Sequence, residues 1–173
     1  MVRQMNWANS SEQECDDAAN YPMIRLFQVD RSACSSTPLQ EFDSVFLNWT
    51  KPSTINAVTR KPAIGDFAAV CYFFGRELYK GLPQEQKAPI GLVLSSWGGT
   101  EDGCWSSPDA LGKCGYKPDP DPKPKCKTGK CGNSQLWNAM VEPMLPLSIR
   151  GVVWYQGEGR VSELARLGWV RLG

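Results

Sequence analysis

Pro89-Ile90-Gly91-Leu92-Val93-Leu94-Ser95-Ser96-Trp97-Gly98-Gly99-Thr100 is a short apolar run that ends in two adjacent glycines. It is apolar on both faces and bounded by turn residues, which predicts a strand covered by helices on both sides. Upstream, Phe67, Val70, Cys71, Phe74 and Leu78 recur at helical spacing. They predict a helix that Asp66 caps and that Gly81 and Pro83 stop. Earlier still, Met23-Ile24-Arg25-Leu26-Phe27-Gln28-Val29 alternates behind the turn signal Asn20-Tyr21-Pro22, as a half-buried strand does. The chain from Pro38 to Pro62 reads as a surface connection with at most a short strand at Ser44–Trp49. Downstream, Ser134 is placed to cap a helix with Leu136, Trp137, Met140, Val141 and Met144 on one face, closed by Pro146. Ile149-Arg150-Gly151-Val152-Val153-Trp154-Tyr155 predicts a further buried strand, followed by Gln156-Gly157-Glu158-Gly159. Strands alternating with helices in this order imply an α/β fold with a mostly parallel sheet and right-handed crossovers. Ligands of such sheets bind off the carboxyl ends of the strands, where both glycine loops fall.

The chain has 173 residues, 42% hydrophobic and 21% charged, enough for one domain with its own core and too few for a second. Nineteen Lys and Arg against 18 Asp and Glu give a net charge of +1, so no basic field points to nucleic acid or an acidic membrane surface. No apolar run approaches the roughly 20 residues of a membrane span. The start, Met1-Val2-Arg3-Gln4-Met5-Asn6-Trp7, lacks a signal peptide's apolar core, so neither anchor nor secretion signal is expected in the chain as written. There is no histidine, so these residues alone complete neither a Ser-His-Asp nor a Cys-His machine, and His-ligated zinc is excluded. Neither repeats nor coiled-coil heptads are present.

Of seven cysteines, Cys104, Cys114, Cys126 and Cys131 share a stretch with Pro118, Pro120, Pro122 and Pro124. Spacings of 9, 11 and 4 intervening residues fit paired zinc ligands poorly, and no metal or other cofactor is expected. A disulfide-stapled loop over 104–132 fits better. The sequons Asn9-Ser10-Ser11 and Asn48-Trp49-Thr50 agree with a secretory history. The odd cysteine is either a buried thiol, with Cys71 as candidate, or paired outside this sequence. Lysines 113, 117, 123, 125, 127 and 130 read as a solvated face.

Gly98 and Gly99 let backbone N–H groups approach a ligand closely and face a developing negative charge, or they simply make a tight turn. No G-x-G-x-x-G occurs, which disfavours a dinucleotide. Gln156 offers an amide donor and Glu158 a carboxylate at the tip of the following predicted strand. Trp97, Trp105 and Trp154 either stack on a sugar face or fill the core.

Taken together, Asp66 to Tyr79, Pro89 to Thr100, Trp105-Ser106-Ser107, Leu136-Trp137-Asn138-Ala139-Met140 and Gly151 to Glu158 resemble the sialate O-acetylesterase family, in order and over about residues 21–158. The resemblance implies a partial flavodoxin-like (SGNH hydrolase) three-layer sandwich, incomplete at both ends, in a lysosomal or secreted carboxylic ester hydrolase. That family removes O-acetyl groups from sialic acids, so O-acetylated sialic acid or a sialoglycan is the implied substrate. It further implies a serine nucleophile in a Gly-Gln-Ser-Asn-Met block, oxyanion donors in the Gly-Gly and Gln-Gly-Glu blocks, and a distant Asp-x-x-His pair. Gly98, Gly99 and Gln156 carry over as oxyanion candidates, with Glu158 as a supporting acid and Trp97, Thr100, Trp105 and Gly157 lining the pocket.

The departures are specific. Met1 aligns where the Gly-Gln-Ser-Asn-Met block ends, which puts the nucleophile just upstream of it, and no Asp-x-x-His is present. No catalytic residue carries over, and the chain on its own is expected to be inactive, with the rest of its own domain as a candidate partner. Where the family has Pro-Ile-Glu-Ala, this sequence has Glu101-Asp102-Gly103-Cys104, so Gly103 replaces the usual glutamate. Residues 1–158 therefore read as a partial esterase domain and 159–173 as a tail outside the likeness. Val161-Ser162 is encodable by an intron start, which suggests read-through near Arg160. The alternative is a non-catalytic sialoglycan-binding pseudoenzyme.

Overall fold

The structure, a computed structural model, describes residues 4–32, 34–116, 126 and 131–155. Three strands, β1 (Ile24–Val29), β2 (Val45–Thr50) and β3 (Ile90–Leu94), form one sheet in the order β2-β1-β3. β1 and β3 run parallel, with Ile24 opposite Ile90 and Gln28 opposite Leu94. β2 runs antiparallel to β1 with an irregular register. The sheet is therefore mixed rather than mostly parallel. The chain between β1 and β2 holds no helix among its described residues to carry it back over the sheet, and without such a crossover the strand returns antiparallel.

β1 is the central strand, and this overrides its alternating sequence: Ile24, Leu26, Phe27, Gln28 and Val29 are all buried. Side chains alternate between faces along a strand, so β1 serves two cores. Ile24 and Leu26 join Leu92, Leu94, Ile64, Phe67 and Tyr72 on one side. Phe27 and Val29 join Trp105, Leu136, Ala139 and Met140 on the other. Among the described residues, four short α-helices accompany them: α1 (Ser11–Asp17), α2 (Ala63–Asp66), α4 (Asp102–Trp105) and α5 (Pro108–Lys113). The longest, α3 (Ala69–Gly81), connects β2 to β3 and packs on the first core. The Arg76 guanidinium on α3 pairs with Glu14 of α1 and, at 3.2 Å, with Asp17.

α3 starts later than its periodicity predicts and buries a different face. Phe67 and Ala68 are extended, so Asp66 closes α2 and does not cap α3. The inward residues are Ala69, Tyr72 and Gly75, whereas Val70, Phe74 and Leu78 are 42%, 55% and 46% exposed. Close approach selects this face. A Cβ at Gly75 would stand 2.7 Å from both Cδ atoms of Leu92, a contact that only glycine permits without movement. Gly75→Ala should therefore destabilise the fold by about 1–2 kcal/mol despite alanine's higher helix propensity, because overpacking exceeds that gain. Leu92→Ala should make room, so the double variant should cost clearly less than the sum of the singles in urea unfolding. An additive cycle would contradict this packing.

Cys71 lies on α3, and burial pushes its thiol up from 9.0 to about 11. Its folded-state pKa is raised, so its contribution to stability is complete below about pH 9 and is lost as pH rises towards 11. Cys71→Ala should remove that decline from the pH profile of unfolding free energy. An unchanged slope between pH 9 and 11 would show that the thiol is not protected.

Ser134 has a left-handed φ of 62° and makes no side-chain cap; its carbonyl accepts from Asn138 N at 2.9 Å, and a π-helical turn follows at Trp137–Val141. Leu136 and Met140 are buried as predicted, but Ala139 and Asn138 are buried with them, since the wider turn brings adjacent positions inward. Ile149–Tyr155 forms no strand: Ile149, Val152 and Trp154 are 61%, 75% and 64% exposed. A strand that is apolar on both faces needs a ladder partner and cover on both sides, and among the described residues nothing supplies either. β3 is consequently an edge strand among the described residues.

Candidate active site

The glycine loop leaves β3 at its carboxyl end, where parallel strands present ligand sites. Ser95 Oγ donates to the Met140 carbonyl at 2.8 Å and ties the start of the loop to the π-helical turn. Trp97 then packs, half-buried, against the second core. Gly98 and Gly99 are exposed, and Gly99 has φ +82° with open space where a Cβ would be. The turn thus needs a glycine at 99 for its backbone conformation and not for lack of room.

Thr100 closes the loop. Its Oγ1 donates to the Trp97 carbonyl at 2.7 Å and accepts from the Trp105 indole Nε1 at 2.8 Å. Both hydroxyl roles are used, and the indole N–H of the buried Trp105 is satisfied, as a buried tryptophan requires. Trp105 is thereby a core residue and Trp97 largely one, while Trp154 is exposed and apart from both cores. Trp97, Thr100 and Trp105 are brought together around the two glycines. Gln156, Gly157 and Glu158 lie outside the described residues.

Behind the loop, Gly103 is pressed against the segment that enters the π-helical turn. Its carbonyl accepts from Ser134 N at 2.8 Å, and a Cβ would meet Asn133 Oδ1 at 2.7 Å. A side chain at 103 would have to displace the Asn133 amide, so the glycine of Glu101-Asp102-Gly103-Cys104 leaves that side chain where it is. The Cys34–Cys126 disulfide, with Cα atoms 6.1 Å apart, fastens the long loop to the connection after β1. Ser35 N donates to the Gln135 carbonyl at 3.1 Å beside it, and Asn138 Nδ2 donates to the Ser35 carbonyl at 3.1 Å. A pocket of about 60 Å³ between Pro108, Leu111 and Asn138 is far below the roughly 300–1,000 Å³ of small-molecule sites and is not lined by Gly98 or Gly99. Among the described residues no group of His, Cys, Asp and Glu is arranged to hold a metal ion, and no helix is long and apolar enough to cross a membrane.

A disulfide does hold the 104–132 stretch, but it runs from Cys126 to Cys34 and not between cysteines of that stretch, a pairing the sequence does not single out because seven cysteines allow many. Cys104, Cys114 and Cys131 are free thiols. The Thr100–Trp105 bond also escaped the sequence reading, although a hydroxyl following a Gly-Gly turn and a nearby tryptophan is a pattern that could have suggested it.

Sialate O-acetylesterases are similar to this sequence over most of its length. The human one is 36% identical over 156 residues, covering 88% of this chain and 28% of its own. That of Rattus norvegicus is 35% identical over 183 residues, covering 88% of this chain and 32% of its own. The chain thus carries a partial likeness to the sialate O-acetylesterases. It spans less than a third of the length of the relatives it matches. Among solved structures, a carbohydrate acetylesterase from Xanthomonas citri is similar, with a TM-score of 0.66 and 28% identity, covering 91% of this chain and 30% of that one. No family model matches the chain.

Proposed function

We propose that this chain forms the oxyanion-stabilising part of a serine esterase that removes O-acetyl groups from sialic acids. The observation that carries the proposal is the Gly98–Gly99 turn at the carboxyl end of β3, held by Trp97, Thr100 and Trp105. When a serine attacks the acetyl carbonyl, its oxygen becomes an oxyanion, and a backbone N–H at Gly98 or Gly99 together with the Gln156 amide stabilises that charge. Glu158 orients the Gln156 side of the site, and Gly157 allows the backbone to come close. Serine acyl transfer of this kind needs no metal or other cofactor.

The same reading assigns residues 1–158 to a flavodoxin-like SGNH sandwich and 159–173 to a segment outside it. The nucleophile and the Asp–His pair come from elsewhere in the domain, since the chain holds no histidine. The free edge of β3 and the exposed Ile149–Tyr155 run are the surfaces that such a complement would cover. A lysosomal or secreted setting is supported by the Cys34–Cys126 disulfide, which persists in oxidising compartments. Asn9 and Asn48 of the two sequons are both exposed, as glycan acceptors must be.

Two proteins test the proposal: the chain alone, and a chimera in which residues 21–158 replace the corresponding segment of a mammalian relative. The chain alone should release no acetate from O-acetylated N-acetylneuraminic acid, and the chimera should release it. A folded chimera that binds the sugar saturably without hydrolysis would replace the esterase reading with that of a sialoglycan-binding pseudoenzyme.

A further inference from the structure

Cys104 and Cys131 are both free in the structure, yet they face one another across the base of the long loop. The Cys104 Sγ donates to the Cys131 carbonyl at 3.1 Å, and Ser134 N donates to the Gly103 carbonyl at 2.8 Å, so the two backbones are held side by side. Cys104 is buried and Cys131 half-buried against the same core as Trp105 and Cys126. We propose that Cys104 and Cys131 form a second disulfide by exchange with an oxidised low-molecular-weight thiol, locking the base of the loop that carries Trp105.

The two thiols already share a hydrogen bond, which lowers the Cys104 pKa against the desolvation that raises it and, with burial, raises that of Cys131. In the first step the thiolate of one of the pair attacks one sulfur of a glutathione-type disulfide, forming a mixed disulfide and releasing one small thiolate. In the second, the other thiol of the pair gives up its proton and attacks the protein sulfur of that mixed disulfide, releasing the second small thiolate. Two protein thiols are oxidised, one small disulfide is reduced to two thiols, and the two protons end on those leaving groups. The remaining candidates are poorer attackers: burial raises both Cys15 and Cys71, with Asp16 and Glu14 adding to the effect at Cys15. Cys114 is exposed at the end of α5.

The full chain, held folded in a reduced and oxidised glutathione buffer, is quenched with iodoacetamide, digested and mapped by mass spectrometry. Free thiols should fall from the five of the structure to three, with a Cys104–Cys131 linked peptide and alkylated Cys15, Cys71 and Cys114. Cys131→Ser and Cys104→Ser should each abolish the linked peptide and leave the Cys34–Cys126 link in place. Recovery of Cys104 and Cys131 as separately alkylated residues, or a link from either to Cys114, would overturn the proposal.

Discussion

Replacing both Cys34 and Cys126 by serine should lower the free energy of unfolding by about 4 kcal/mol. The two residues are 92 positions apart, so the bridge closes a loop that includes β2, α3, β3 and the glycine turn. Cross-linking a loop of this size restricts the unfolded chain, and the chain-entropy account assigns about 4–5 kcal/mol to it. Domains of this size are stable by only about 5–15 kcal/mol, so the loss is a large share of the whole. Both cysteines must be changed together, because a single substitution leaves a new thiol free to exchange with its neighbours. The measurement is urea unfolding of the two proteins under non-reducing conditions, with the midpoint expected to fall sharply. A change below about 1 kcal/mol would mean that the unfolded chain is not restrained by this link, and the loop would then be held by the second core alone.

Why the sequence revealed some of this fold and not the rest follows from what each element packs against. β1 and β3 were legible because short apolar runs between turn residues have few alternatives to a buried strand. α3 was legible as a helix, but its inward face was not. Hydrophobic periodicity selects the bulkiest stripe, whereas Ala69 and Gly75 face the sheet because small residues let the helix come close to Leu92. Ile149–Tyr155 has the composition of a buried strand and is exposed, because burial depends on a ladder partner that no local pattern encodes. The position of the Gly98–Gly99 turn was readable, since glycines directly after a buried strand fall at its carboxyl end. Its closure by Thr100 and Trp105 is a side-chain contact, and the link from Cys34 to Cys126 a long-range one. Neither leaves a periodic trace.

In the chimera that carries residues 21–158, Gln156→Ala should lower kcat by about 10²–10³ while leaving KM nearly unchanged. The amide is assigned to the oxyanion, which exists only once the serine has attacked, so its removal affects the transition state and spares ground-state binding. A tenfold loss corresponds to about 1.4 kcal/mol, so the expected range is about 3–4 kcal/mol of transition-state stabilisation. Gly99→Ala is the companion test. Its φ of +82° would force a side chain into left-handed backbone at a cost of about 1–2 kcal/mol, or rotate the N–H away from the oxyanion. Because nothing lies within 4 Å of the added Cβ, this variant should fold, and its defect should appear in kcat. If Gln156→Ala raised KM with kcat unchanged, the amide would be binding the sugar and not the oxyanion. The glycine turn would then have to stabilise the charge through its backbone donors alone, and Gly99→Ala would become the more damaging of the two.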